Sequence, residues 1–550
     1  MKTEIKILFS LFLTSGILYA QDTEWEKNQG NVESLIYDVV GNKEIKLNPA
    51  NRFFDPVPPQ PVSRVEHDLS YDFENIFYGA TPVDIKLRPR QLAAEPETKL
   101  YGNYVKAGFG NYISPFLDAR FSNKREKEFS YGANVLYNHS FRGAVDKENS
   151  GEGLWGTKIY ANAYGDKVTL FSDLGFTRQT LHFYGYPDAE LVDKEDIIQH
   201  FNRLNFSLGA RNSNNKDDFQ YSTKLGLVNQ SDYFGAKETR FYTGVNTSLE
   251  VIKDIWIEVD GQYHYLARKD LTIDNSRNYL SVTGKARFKR EKIDFYAGLR
   301  VDINPDTLAG SKGLHIYPQG GLNYKLMDNL EVYAELTGGI LLQSWLEMTL
   351  ENPYVNRDLL IANTNKKVAL AGGFIGNLAQ KLSFDVGFEM SEFHNAAFFV
   401  NDPSDLSRFD VVYDTGKVVL VNPHLTLKFN ENEKYRIGVR GDYFNYQTDV
   451  LDAAYHKPEY GVGLFAGLNF GDKVMFNTSL NMMGGIKYLE SNVVNELNGL
   501  VNLDFEAEYF INSRFSAFLE FNNMISKNYQ VLYRYPVKGF QVLGGVTYRF

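Results

Sequence analysis

The chain has 550 residues, no cysteine and a formal net charge of -10. That excludes a disulfide framework, a thiolate metal site and a lipid-anchored cysteine, and it argues against a nucleic-acid partner, which calls for a basic face. With 36 Tyr, 40 Phe and 45 Gly against 4 Trp, the chain is rich in strand formers and in side chains that sit where polar meets apolar.

Residues 1–20, MKTEIKILFSLFLTSGILYA, place Lys2 and Lys6 before an apolar run that ends at Ala20. This is the pattern of a secretory signal, too short for a spanning helix. No uninterrupted apolar run of about 18 residues follows, so no transmembrane helix is expected after it. Residues 21–97 carry the proline cluster FDPVPPQPV and no sustained alternation, which reads as a separate periplasmic or luminal segment with extended backbone.

From residue 98 to 550 the pattern becomes runs of alternating apolar and polar residues. In LVNLDFEAEYF, Val501, Leu503, Phe505, Ala507 and Tyr509 share one face, opposite Asn502, Asp504, Glu506 and Glu508. In IWIEVDGQYHY, Ile255, Ile257 and Val259 oppose Glu258, Asp260 and His264. Period two, repeated without helical interruption, means antiparallel strands. Short polar joints such as IKD, KREK and FGDKV alternate with mostly longer connections, so one rim has tight turns and the other has loops. That is the layout of a transmembrane antiparallel β-barrel, here of about 22 strands, with short periplasmic turns, longer extracellular loops and both chain ends periplasmic. The alternation is weakest between Asn395 and Lys417.

In lipid the charged faces must turn inward, because a basic residue facing hydrocarbon costs roughly 2–4 kcal/mol near the midplane. Glu258, Asp260, His264, Arg300, Glu331, Glu335, Asp385, Glu389, Arg436, Arg440, Asp504, Glu506 and Glu508 are therefore the candidate lumen lining. Their mixed signs read as a hydrated wall. His264 and His424 have no nucleophile, metal pair or phosphate loop beside them in sequence, so neither an enzyme nor a cofactor is expected. The external stretch QSWLEMTLENPYVNRDLL places Trp345, Met348 and Tyr354 where they either fold back over the mouth or contact a ligand or partner. At the C-terminus, GFQVLGGVTYRF is expected to pair with LYGNYVKAGF and close the barrel. Tyr548 and Phe550 then stand at the periplasmic girdle, with Tyr435, Tyr443, Tyr509 and Phe510 among the other girdle aromatics, and their terminal alternation resembles the targeting signal that outer-membrane barrels present to the assembly machinery.

The run FLEFNNMISKNYQVLYRYPVKGFQVLGGVTYRF resembles the closing hairpin of TonB-dependent outer-membrane receptors, and KLYGNYVKAGFGNYISPFLDARF is similar to TonB-dependent receptor-like proteins of Bacteroidota. The resemblance covers the barrel and implies solute passage or uptake across the outer membrane of a Gram-negative bacterium. The partners it implies are outer-membrane lipid, the barrel-assembly machinery, TonB or another periplasmic protein through residues 21–97, and a surface lipoprotein. The departure is at the N-terminus, where 21–97 is short for the family's plug; NVESLIYDVV is the nearest match to a TonB-binding segment, and it reads first as an ordinary short strand. The alternative expectation is a non-transporting barrel, a structural or assembly subunit of an envelope complex whose N-terminal arm binds a periplasmic partner.

Overall fold

The computed structural model describes residues 102–550 apart from 124–125, 188–191, 215–216, 305–312, 380, 432–433 and 527–528. The expected signal at 1–20 and the segment 21–97 lie outside the described residues. No described helix is long and apolar enough to cross a membrane. Antiparallel neighbours run in sequence order from the first strand, Tyr104–Gly110, to the last, Gln541–Arg549. These two pair with each other, Tyr104 opposite Arg549 and Gly110 opposite Leu543, so the sheet closes on itself. Tyr435–Tyr443 and Asn445–Gln447 are one strand interrupted at Phe444, since both pair with Phe409–Glu431, and the ring has 22 strands.

The pleat turns alternate side chains in and out. Leu204, Phe206 and Leu208 stand open on the outside, while Phe201 and Ser207 on the same strand are buried on the inside. Closing the sheet satisfies every edge, the condition for strands to cross a membrane. At the seam the Phe518 ring lies over backbone: a Cβ at Gly545 would fall 2.6 Å from it and also against the Ala107 carbonyl. The close approach of the strands therefore requires glycine at that position.

One rim has the tight turns, such as the two residues between Lys237–Ile252 and Ile255–Lys269, and the start of the first strand and the end of the last lie on it. Here the Phe550 amide donates to the Asn103 carbonyl at 3.0 Å, and the Tyr548 and Phe550 rings stack at 5.4 Å. Tyr435, Tyr443 and Tyr509 are exposed as girdle residues should be. Phe510, expected with them, instead lies under the Arg549 guanidinium at 4.9 Å, because it shares the inward parity of Glu508.

The weakly alternating stretch from Asn395 to Lys417 belongs to the two longest strands, Leu382–Asn401 and Phe409–Glu431. A bulge at His394/Ala396, with Asn395 at a φ of 54°, shifts the parity by one residue. Beyond it Phe398, Phe399 and Val400 are all buried, and Phe399 packs with Trp345 and Met348 of the loop 342–363.

Candidate functional site

The lumen wall is laced with ion pairs. Glu258 meets Arg287 at 3.2 Å, and the same guanidinium is gripped by Asp294 at 2.7 and 2.6 Å. Asp260 is half-buried beside them, and His264 stacks on Tyr242 at 6.1 Å. Arg300 pairs with Asp302 at 2.9 Å and donates to the Tyr279 hydroxyl at 2.8 Å. Glu335 accepts from Tyr296 at 2.6 Å, whereas Glu331 sits near the turns with Lys325 at 3.6 Å. Asp385 lies 3.6 Å from His424, and Glu389 takes Lys366 at 3.0 Å and Ser391 at 2.5 Å. Arg440 forks onto Asp442 at 2.7 and 3.0 Å, and Arg436 is half-buried on the same strand.

Asp504 accepts the Asn523 amide at 3.0 Å, and Glu508 accepts Arg549 at 2.8 Å. Glu506 is joined to Lys106 at 3.2 Å, and Lys106 also binds Glu520 at 2.5 Å across the seam. Nothing local in the sequence marks the Lys106–Glu520 pair. Its partners are 414 residues apart and only closure brings them together. Among the described residues no group of three or more His, Asp or Glu is placed to hold a metal ion.

The loop-bearing end of the lumen is covered. The connection 342–363 contains the short helix Trp345–Glu351, capped by Ser344, whose hydroxyl accepts the Glu347 amide at 3.3 Å. The next open amides, of Trp345 and Leu346, donate to the Glu238 carboxylate at 2.9 and 3.2 Å. Arg240 binds Glu347 at 2.5 Å and Gln230 donates to Thr349 at 2.9 Å, so the wall holds the helix by side chains of two neighbouring strands. Arg268 donates to the Leu359 carbonyl at 2.5 Å, and Arg277 to that of Gln343 at 2.5 Å. On the other side, Phe409 donates its amide to the Tyr354 carbonyl at 3.0 Å, and Lys457 pairs with Glu351.

Leu181, Phe201, Trp345, Met348, Phe409 and Tyr535 share one apolar core. Phe201 belongs to the sixth strand and Phe409 to the sixteenth, ten strands apart one way round the ring and twelve the other. Side chains on nearly opposite walls can join a single core only across the mouth. Trp345 meets Phe201 edge-on at 5.9 Å, and Tyr354 stacks on Tyr535 at 3.6 Å. Burial pushes the Tyr354 and Tyr535 phenols well above their ordinary pKa.

Of the two expectations for this loop, the external contact is thus corrected. Trp345 and Met348 are 1% and 2% exposed, and Tyr354 is half-buried in the same layer. Apolar side chains above a polar lumen bury one another. The apolar residues of the loop that stand open are Leu350 and Leu360.

A second apolar cluster lies beside this one. Met483, Ile486, Leu497, Leu500 and Tyr529 pack together, and the rings of Tyr488 and Tyr533 stack at 3.9 Å. His456 ties the two clusters together: its Nδ1 lies 2.9 Å from the Phe399 carbonyl, and its Nε2 lies 3.3 Å from the Tyr533 amide. Burial holds its imidazole down to about 4. The site is a polar, ion-paired lumen beneath a lid built by loops from opposing walls.

No family model matches the sequence, and neither does any curated protein. Solved structures do. The FrpB iron transporter from Neisseria meningitidis superposes with a TM-score of 0.64 at 11% identity, over 82% of this chain and 82% of that one. The ferric-catecholate import receptor Fiu from E. coli K12, in a closed form, gives 0.60 at 11% identity over 82% of each chain. The siderophore receptor PiuA from Acinetobacter baumannii gives 0.61, also at 11% identity and 82% of each chain. At such identity the likeness is one of fold, and the chain has the 22-strand antiparallel barrel of these proteins.

Proposed function

We propose that the protein takes up a solute across the outer membrane of a Gram-negative bacterium, as a barrel of receptor type and not as an open pore. The observation that carries this reading is the lid, whose core joins loops and strand ends of opposing walls. A bore of about 22 strands is wide enough to breach the membrane if left empty. A general diffusion pore has no use for such a cap, whereas a receptor that admits only bound cargo requires one. The likeness in fold to an iron transporter and siderophore receptors supports uptake and leaves the cargo open.

In this reading both chain ends face the periplasm and outer-membrane lipid surrounds the apolar band. Residues 21–97 act from the periplasmic side, as a reduced plug or as the arm that binds TonB or another periplasmic protein. Tyr548 and Phe550 form the signal read by the barrel-assembly machinery, and a surface lipoprotein is a partner at the loops. The many polar ties between loop 342–363 and the wall favour a second reading, a non-transporting barrel that anchors an envelope complex.

Single-channel conductance decides between them. The full-length protein is expected to be silent. Removing residues 22–95 and replacing 342–363 by a short turn should together give large steps, with smaller or flickering steps from either change alone. A silent doubly altered protein sinks the uptake reading and leaves the anchor.

A further inference from the structure

The lumen wall below the lid is unevenly charged. On the four successive strands from Glu152–Tyr164 to Phe219–Ser231, exposed Ile159, Leu204 and Leu225 mark the outer face. At the top of the inner face Glu152 is neutralised by Lys538 at 2.7 Å. Below it, among the described residues, Lys158, Arg203, Arg211 and Lys224 face a single carboxylate, Asp173. Lys158 takes that carboxylate at 2.8 Å, and Ser207 donates to it as well. The sector keeps an excess of positive charge.

Arg203 has the most distinctive setting. Its Nε donates to Gln230 at 2.7 Å and its Nη1 to Gln179 at 3.0 Å, both neutral acceptors on the flanking strands. Nη2 is shielded from solvent and has no hydrogen-bond partner among the described residues. The guanidinium stands 5.3 Å from the Phe201 ring, which touches Trp345 of the lid, and Gln230 donates to Thr349 of the lid helix. The group therefore lies directly beneath the lid. A buried N–H without an acceptor costs free energy, which an arriving anion would recover. A guanidinium fixed by two neutral anchors offers its remaining N–H groups, with undiminished charge, to a carboxylate or phosphate.

We propose that Arg203 is the anion-recognition residue of the lumen and that the solute taken up carries carboxylate or phosphate groups, with Arg211 and Lys224 extending the basic sector along its path. The inference rests on the uptake reading. It is tested by calorimetric titration of the full-length protein in detergent with citrate and with inorganic pyrophosphate, using maltotriose and spermidine as neutral and cationic controls. At least one of the two anions should bind the wild-type protein, and Arg203→Gln should weaken that binding by about tenfold or more, as expected for loss of a charged hydrogen bond.

Arg203→Lys, which keeps the charge and loses the fork, should fall between the two. Neither control should respond to either variant. Gel mobility before and after heating verifies that each variant is a closed barrel, and if Arg203→Gln fails to fold, Arg203→Lys alone decides. Absence of binding by both anions, or equal binding in wild type and variant, overturns the proposal. Flux of the bound anion into proteoliposomes through the protein lacking residues 22–95 and with 342–363 replaced by a short turn, which needs no periplasmic partner, separates the two claims. Arg203-dependent binding without flux keeps the site and removes uptake, whereas flux unchanged in Arg203→Gln keeps uptake and removes the site.

Discussion

His456 is held in a single tautomer. The Phe399 carbonyl can only accept, so Nδ1 carries the proton, and Nε2 is left to accept from the Tyr533 amide. Protonating Nε2 would set two donors against each other in a buried place. The imidazole titrates near 6.5 when the loops are open and at about 4 when they are closed, because burial disfavours its charged form. Opening therefore binds a proton. The closed layer keeps its full stability above about pH 6.5 and loses it progressively as pH falls towards 4, by up to roughly 3 kcal/mol. Hydrogen exchange of the 448–459 and 523–540 amides, corrected for intrinsic rate, should show opening that grows over that window and a flatter profile in His456→Asn. A wild-type profile as flat as the variant's would remove His456 from the pH dependence of the closed layer.

At the scale of the element, the loop 342–363 is a lid because its polar ends and its apolar middle have separate anchors. Glu238 and Arg268 hold its backbone, and Trp345 and Met348 fill the core that crosses the mouth. Removing a buried tryptophan typically costs about 3–5 kcal/mol, and here the loss falls on the loop layer and not on the strand ladder. Trp345→Ala should therefore raise exchange and protease cleavage across 342–363 while the barrel keeps its heat-modifiable gel mobility. Exchange unchanged from wild type would mean that the lid does not depend on this core. The run that holds Trp345, Met348 and Tyr354 could be read as apolar and external. Whether it faced out or folded in could not, because a loop has no period to tie it to a face, and Phe201 and Phe409 reach it from distant parts of the chain.

For the whole molecule, closure is the decisive event, and its inner face is an ionic staple. Lys106 on the first strand joins Glu506 at 3.2 Å and Glu520 at 2.5 Å, with all three side chains largely shielded. Taking away one member of such a buried set leaves charge uncompensated and costs about 3–5 kcal/mol. Lys106→Met should lower the temperature at which the barrel opens on heated gels, and adding Glu506→Gln and Glu520→Gln should restore much of the loss. Failure of the triple variant to recover would point to lost packing against Phe518, whose ring centroid lies 4.0 Å from the lysine nitrogen.

Period two along each strand was enough to determine the barrel. The pleat obliges alternate residues to share a face, so Ile257 and Val259 against Glu258 and Asp260, or Tyr548 against Arg549, state the inside and the outside without any distant contact. Strand number and rim parity followed from the turn residues, and the free edge at Phe550 called for a partner because lipid offers no hydrogen bonds. What only the tertiary structure decided is the pairing of groups remote in sequence. The Lys106 staple, the guanidinium of Arg203 held between Gln179 and Gln230, and a lid core drawn from nearly opposite walls all depend on which strands a closed ring sets side by side or face to face. No local pattern carries that information, since each of these residues alone is an ordinary inward or loop position.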